Sequence, residues 1–449
     1  MSEDKSLLLE RDNIGSLLRR YAFPAIIAMI ASSLYNIIDS IFIGQKLGAM
    51  AISGLALTFP LMNLSAAFGT LVGVGGATLV SISLGRKDHT YARNVLGNVV
   101  LLSIVIGSLF TLFTLPFLDD LLYLFGGSEN TIEYASDFMF IILIGNIITH
   151  LFFGLNAIVR SSGNPQLAMM VTIFSVIINI ILVSIFIFVF EWGIAGAAWA
   201  TVIAQFISLI WLILIFMKRN KLVYFSRDIF RFKKKIVIDI FSIGMSPFLM
   251  NATACFVVIL INFSLQKYGG DLAIGAYGII NRVSFIFVMI VFGITQGMQP
   301  IVGYNYGAKL YRRVLDTFYK SVKWGVLIMT LAFVGVEIFP RAISMIFTTD
   351  KQLVDIAVDG FRIVFIVYPL AGFQIVSSNL FQSIGKARQS IFLSLTRQII
   401  FLIPLLIFLP HFLQIRGVWI AMPVSDFLST LLTAFLVHKE VKQLKALSN

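Results

Sequence analysis

The stretch "FPAIIAMIASSLYNIIDSIFIG" (residues 23–44) is apolar almost throughout, yet it places a carboxylate, Asp39, inside it. What Asp39 does there depends on the solvent around the run. Of the 449 residues, 58% are hydrophobic and only 12% charged. A water-soluble chain of this length needs a larger charged surface, so lipid is the implied solvent. A helix crossing ~30 Å of hydrocarbon needs about 20 apolar residues. Twelve such runs can be read, at 16–43, 52–83, 94–117, 132–159, 166–190, 194–217, 236–265, 273–303, 320–340, 355–383, 389–410 and 415–437. Long runs without ten-residue alternation predict helices rather than a membrane barrel. No charged leader, short apolar core and cleavage site opens the sequence, so no processing is expected.

The net charge of +12 raises the question of nucleic acid, and its distribution answers it. With the N-terminus placed inside, 27 of the 34 Lys and Arg residues fall on that side, six fall outside, and Arg282 lies within a span. This is the positive-inside pattern, which predicts cytoplasmic termini, contact with anionic lipid headgroups and no nucleic-acid partner. The single cysteine, Cys255, excludes an internal disulfide, and the four scattered histidines make no HExxH-type metal motif.

The sequence repeats itself. "AFPAI" at 22–26 answers "MSPFL" at 245–249, setting Pro24 against Pro247. "QKLGAMAISG" at 45–54 answers "QKYGGDLAIGA" at 266–276, and "LGRK" at 84–87 answers "YGAK" at 306–309. Six spans per half is an even number, so the halves share one orientation, related by an axis along the membrane normal. Such repeats mark transporters, with substrate expected between or inside the halves. The expected organisation is an N-terminal half at 1–217, a basic cytoplasmic linker at 218–235 and a C-terminal half at 236–449.

Charges at membrane depth are costly and need a partner, a cavity or a proton. Asp39 follows Tyr35 and Asn36 by one turn on nearly the same face. No basic residue of the first half lies at its depth, so it should sit neutral or partly protonated. It then either handles protons or bonds two helices together. Asp426 and Arg397 lie at similar depths on neighbouring antiparallel spans, where a structural ion pair is expected, with substrate charge recognition as the alternative. Arg282 has Asp355 or Asp359 as candidate partners. A second polar set comprises Asn156, Arg160, Asn179 and Thr201. Side chains that a substrate could meet are Asn36, Arg282, Met289, Gln296, Gln374 and Asn379; flexible Met and Phe linings adapt to varied apolar cations.

These residues resemble the multidrug and toxic compound extrusion (MATE) family, nearest its MepA-like bacterial branch, over about residues 12–440. The first span resembles that family's first helix, with a proline and then an aspartate fifteen residues later, and "NAIVRSSGNPQLAM" resembles its fourth-to-fifth connection. The resemblance implies an all-α membrane protein with twelve transmembrane helices in two pseudo-symmetric six-helix bundles, V-shaped. It implies a secondary antiporter in a bacterial inner membrane, not an enzyme, that exports amphipathic, mostly cationic drugs and works without cofactor, as a monomer whose partners are membrane lipids. It further implies a proton-coupling cluster of Asp39, Tyr35, Asn156, Asn179 and Thr201, with Pro24 as the helix-bending proline. One departure stands out. The family's second aspartate, four residues after the fifth-helix asparagine, is Val183 here, which disfavours sodium, a hard cation wanting several oxygens, and favours protons. A flippase of lipid-linked metabolites and sodium-coupled efflux are the alternative readings.

Overall fold

The computed structural model describes residues 8–218, 222–348 and 350–448, with side chains at 35–37, 49 and 271 outside the described residues. Among the described residues there is no β-strand. Nine helices among the described residues are long and apolar enough to cross a membrane, or ten when Ile132–Ile144 and Asn146–Ser161, bent by 55°, count as one span. Two further divisions bring the number to twelve. Gln414, at φ 52° and ψ −132°, divides the run Ala387–Ser448. Lys351–Val364 continues through a tight turn, Phe365–Val367, into Tyr368–Ser383.

In chain order the spans are α1 (Ile14–Leu47), α2 (Ala49–Gly85), α3 (His89–Thr114), α4 (Ile132–Ile144 with Asn146–Ser161), α5 (Pro165–Ser184) and α6 (Gly193–Met217). They continue as α7 (Lys234–Gly270), α8 (Leu272–Gly307), α9 (Tyr311–Ile338), α10 (Lys351–Val364 with Tyr368–Ser383), α11 (387–413) and α12 (415–448).

The repeat is written into the backbone. Positive φ recurs at Gly48 and Gly270, Lys87 and Lys309, and Gly163 and Gly385, each pair 222 residues apart. These residues stop one helix and start the next, and glycine fills two of the three pairs because a left-handed backbone is disfavoured with a Cβ. Local chemistry sharpens other starts. The Asp88 carboxylate accepts from the Tyr91 N–H at 2.9 Å, and Pro165 occupies the first turn of α5.

The chain forms two compact units. One joins Met1–Glu10 to Ile27–Phe248; the other joins Arg11–Ile26 to Leu249–Asn449. The opening turns of α1 therefore pack in the second unit, and those of α7 in the first. Each handover falls just after a repeat-related proline, Pro24 or Pro247. Glycines make the packing close enough. A Cβ at Gly244 of α7 would lie 1.8 Å from the Leu71 carbonyl oxygen, and one at Gly75 would lie 2.3 Å from that of Ile240. In the second unit, a Cβ at Gly297 of α8 would lie 2.5 Å from Ala22 Cα, and one at Gly293 would lie 2.8 Å from Ile26 Cα. Backbone meets backbone in both, as small residues permit in membrane helix pairs.

The described part of the basic linker is docked on α3. Asn98 donates to the Arg231 carbonyl at 3.2 Å and accepts from the Lys233 N–H at 3.0 Å, while Arg93 donates to the Tyr224 hydroxyl at 2.6 Å. At the other end of the first unit, Lys46 pairs with Glu191 at 2.8 Å, and this hydrogen bond holds the Glu191 carboxyl below the usual carboxylate range.

Candidate functional site: a polar cavity above an apolar plug

Three helices of the first unit meet at an apolar cluster containing Ile43 of α1, Val183 of α5 and Ala197 of α6, each fully buried. One helical turn from each stands a polar residue: Asp39 before Ile43, Asn179 before Val183, and Thr201 after Ala197. Helical spacing therefore sets Asp39, Asn179 and Thr201 each one turn from the cluster on its own helix. Asn179 donates from Nδ2 to the Thr201 hydroxyl at 3.0 Å. That hydroxyl spends its own hydrogen on the Ala197 carbonyl at 3.1 Å, within its helix. The Asn179 amide oxygen is buried without a donor among the described residues, and so is Oδ1 of Asp39. Asp39 itself is 8% exposed.

Asn179 and Thr201 also line a cavity of about 160 Å³, with Phe152, Phe153, Ser175 and Gln205 among the other wall residues. At ~30 Å³ per water, it has room for a few waters or a small ring. Its wall mixes aromatic faces with hydroxyl and amide groups, which suits an amphipathic guest. Among the described residues, no group of three His, Cys, Asp or Glu side chains could hold a metal ion.

The remaining residues singled out in the sequence are dispersed. Asn156 donates to the Ala168 carbonyl at 3.0 Å and to Thr172 at 3.3 Å, tying α4 to α5, and does not line the cavity. The side chains of Tyr35 and Asn36 lie outside the described residues. Pro24 is buried inside an unbroken α1. In the second unit, Gln374 is buried and hydrogen-bonded to the Ser429 hydroxyl, and Asn379 donates to the Ile375 carbonyl of its own helix. Met289 and Gln296 are half-buried. Arg282 is exposed, and Asp355, a candidate partner for it, is instead bonded to Arg341 at the start of the short helix Pro340–Phe347. Arg397 Nε donates to Asp426 Oδ1 at 2.6 Å.

One polar centre escaped the sequence reading. His150 and Asn146 lie one turn apart on α4, at its 55° bend, and both are buried. Ser65 of α2 donates to Asn146 Oδ1 at 2.6 Å, and its carbonyl lies 3.1 Å from His150 Nε2. Nδ1 of His150 and Nδ2 of Asn146 are buried without partners. The signal was present as an Asn-x-x-x-His pair inside an apolar run.

The chain is 28% identical over 438 residues to multidrug export protein MepA of Staphylococcus haemolyticus, covering 98% of this chain and 96% of that protein. It is 27% identical over 439 residues to MepA of Staphylococcus aureus, with the same coverages. Among solved structures, one described as the outward-facing conformation of a multidrug resistance MATE family transporter superposes with a TM-score of 0.93 at 22% identity, covering 99% of each chain. Another, of a MATE in the bent conformation, also gives 0.93 at 22% identity over 100% of each chain. The fold is thus that of the MATE transporters. The MatE family profile matches twice, at residues 24–185 and 247–408, starting each time at one of the two repeat-related prolines. The chain belongs to the MatE family, the multidrug and toxic compound extrusion transporters.

Proposed function

We propose that this protein exports amphipathic, mostly cationic small molecules across a bacterial cytoplasmic membrane, both termini inside, in exchange for protons. The observation that carries the coupling is the carboxyl of Asp39, buried on α1 with Oδ1 accepting no hydrogen bond from the described residues. Removal from water disfavours a charged carboxylate unless donors or cations compensate. A proton arriving at Asp39 supplies the missing hydrogen; its departure leaves a negative group next to a cavity wall. A cationic guest in that cavity is favoured by the charged form and disfavoured by the neutral one. Proton uptake and guest release are then linked through one carboxyl, as binding linkage requires.

Sodium fits this site less well. Stripped of water, it wants several oxygens. Val183 is buried in the apolar cluster where a second carboxylate would otherwise stand. The two MepA relatives, named as multidrug export proteins, support the drug-export part of the reading.

The test is efflux of a lipophilic cation from proteoliposomes under separately imposed proton and sodium gradients. Efflux driven by the proton gradient in sodium-free buffer is expected. Export that stops without sodium, the proton gradient being intact, overturns the coupling.

A further inference from the structure

The second unit carries a charged centre with unused capacity. Arg397 engages Asp426 only through Nε. Its two terminal nitrogens, with four N–H groups, have no partner among the described residues. A guanidinium offers five donors in a planar fork, and the terminal pair is the edge that matches a carboxylate in bidentate fashion. The Arg397 side chain is 38% exposed while that of Asp426 is 10% exposed. A cation opening onto hydrocarbon at span depth is costly, so the open edge faces space that water or solute can enter.

Three features hold the edge in place. Arg397 lies in a π-helical segment, Thr396–Leu402, within α11, an irregularity that recurs at functional sites. Ser425, beside Asp426 on α12, donates to the Arg397 carbonyl at 2.7 Å, so backbone and side chain of Arg397 are both tied to α12. Tyr368 of α10, buried, lies within electrostatic reach of both charges.

The repeat gives the position meaning. "IAGAAWATVIAQF" at 194–206 aligns with "IRGVWIAMPVSDF" at 415–427, which sets Gln205 against Asp426. The 222-residue spacing of Gly163 and Gly385 sets Ser175 against Arg397. Ser175 and Gln205 both line the cavity of the first unit. The charged pair thus stands where its neutral counterparts form a cavity wall.

We propose that the Arg397 terminal nitrogens form a carboxylate-binding site in the second unit, taking amphipathic molecules that bear a carboxylate, with Asp426 weakening the site by competing for the same cation. The inference rests on the reading of the protein as an exporter of amphipathic molecules and adds a class of guest to it.

Two dyes that differ only at the carboxyl test it: rhodamine 110, with a free carboxylate, and rhodamine 123, its methyl ester. Equilibrium binding to the full chain in detergent is read by fluorescence anisotropy, with no ion gradient. The quantity is the ratio of free-acid to ester affinity. Arg397→Lys keeps a cation for Asp426 and loses the planar fork; the ratio should fall by about ten-fold or more, the weight of hydrogen bonds to a charged group. Asp426→Asn frees the guanidinium, and the ratio should rise. An unchanged ratio in Arg397→Lys, a fall in both variants, or no binding of rhodamine 110 by the unaltered protein overturns the site. A melting curve for each variant establishes that it is folded, and Arg397→Lys alone decides if Asp426→Asn is not. Failure of gradient-driven cation efflux would instead count against the exporter reading, because the binding ratio is measured without transport.

Discussion

Asn179 and Thr201, on α5 and α6, are joined by a 3.0 Å hydrogen bond that consumes one amide hydrogen and leaves the Asn179 oxygen buried without a donor. Asp39, one turn before Ile43 of the apolar cluster, likewise has an oxygen with no donor among the described residues. Both oxygens are therefore acceptors in search of a hydrogen.

Asp39→Asn replaces one of those acceptors with a donor of nearly the same shape and removes the titrating group. Gradient-driven efflux of a lipophilic cation should be lost, while the melting temperature in detergent stays near that of the parent. Proton-driven export at near-normal rate by this variant would remove Asp39 from the coupling.

Arg397 and Asp426 form a pair at 2.6 Å with unequal exposure. Truncating either one leaves the other uncompensated. Breaking a buried pair costs ~3–5 kcal/mol, and the partial exposure of Arg397 lowers the expectation to roughly 1–3 kcal/mol. A double-mutant cycle with Arg397→Ala and Asp426→Ala, read by thermal unfolding, should show losses that do not add. Additive losses would mean that the bond contributes no coupling energy.

Val183→Asp places a carboxyl in an apolar cluster whose neighbours include Ile43 and Phe186. The variant should be less stable by about 1–3 kcal/mol, the usual cost of an unsatisfied buried polar group. It should also titrate together with Asp39, broadening the pH dependence of efflux. Transport by the unaltered protein should be indifferent to sodium at fixed pH and membrane potential. A pH profile identical in variant and parent would show that the two positions do not interact.

Gly244→Ala and Gly297→Ala each put a methyl group far inside van der Waals contact with backbone atoms of a neighbouring helix. Each should lower stability by about 1–3 kcal/mol or more, since backbone gives way less readily than a side chain. Gly335→Ala, on α9, meets no atom within 4 Å and should be neutral or slightly stabilising through helix propensity. Comparable melting temperatures for all three variants would contradict the close approach.

The helical class and the repeat were legible because both rest on patterns that a linear sequence displays. Long apolar runs report the solvent, and recurring Pro, Gly and Gln-Lys motifs report the duplication. The partner of Arg341 was not legible, because Asp355 was equally available to Arg282 until the short helix Pro340–Phe347 brought Arg341 beside it. Nor was the polar centre at His150, whose significance depends on Ser65 from another helix. Asn156 illustrates the same limit: its spacing placed it on α4, but only the packing of α4 on α5 directs its amide to the Ala168 carbonyl. Periodicity states which face a side chain occupies, and three-dimensional neighbours state what it meets there.

The crossing-over of the two opening half-helices also constrains the order in which the chain can mature. Ala22 and Ile26 are made before the linker, yet the glycines they rest on, Gly293 and Gly297, are synthesised only after it. Until then the start of α1 lacks its native seat, and the first unit waits in turn for Gly244 to close against Leu71. Neither half can finish alone during biogenesis; each completes its packing with a length of helix that the other half's side of the chain encodes.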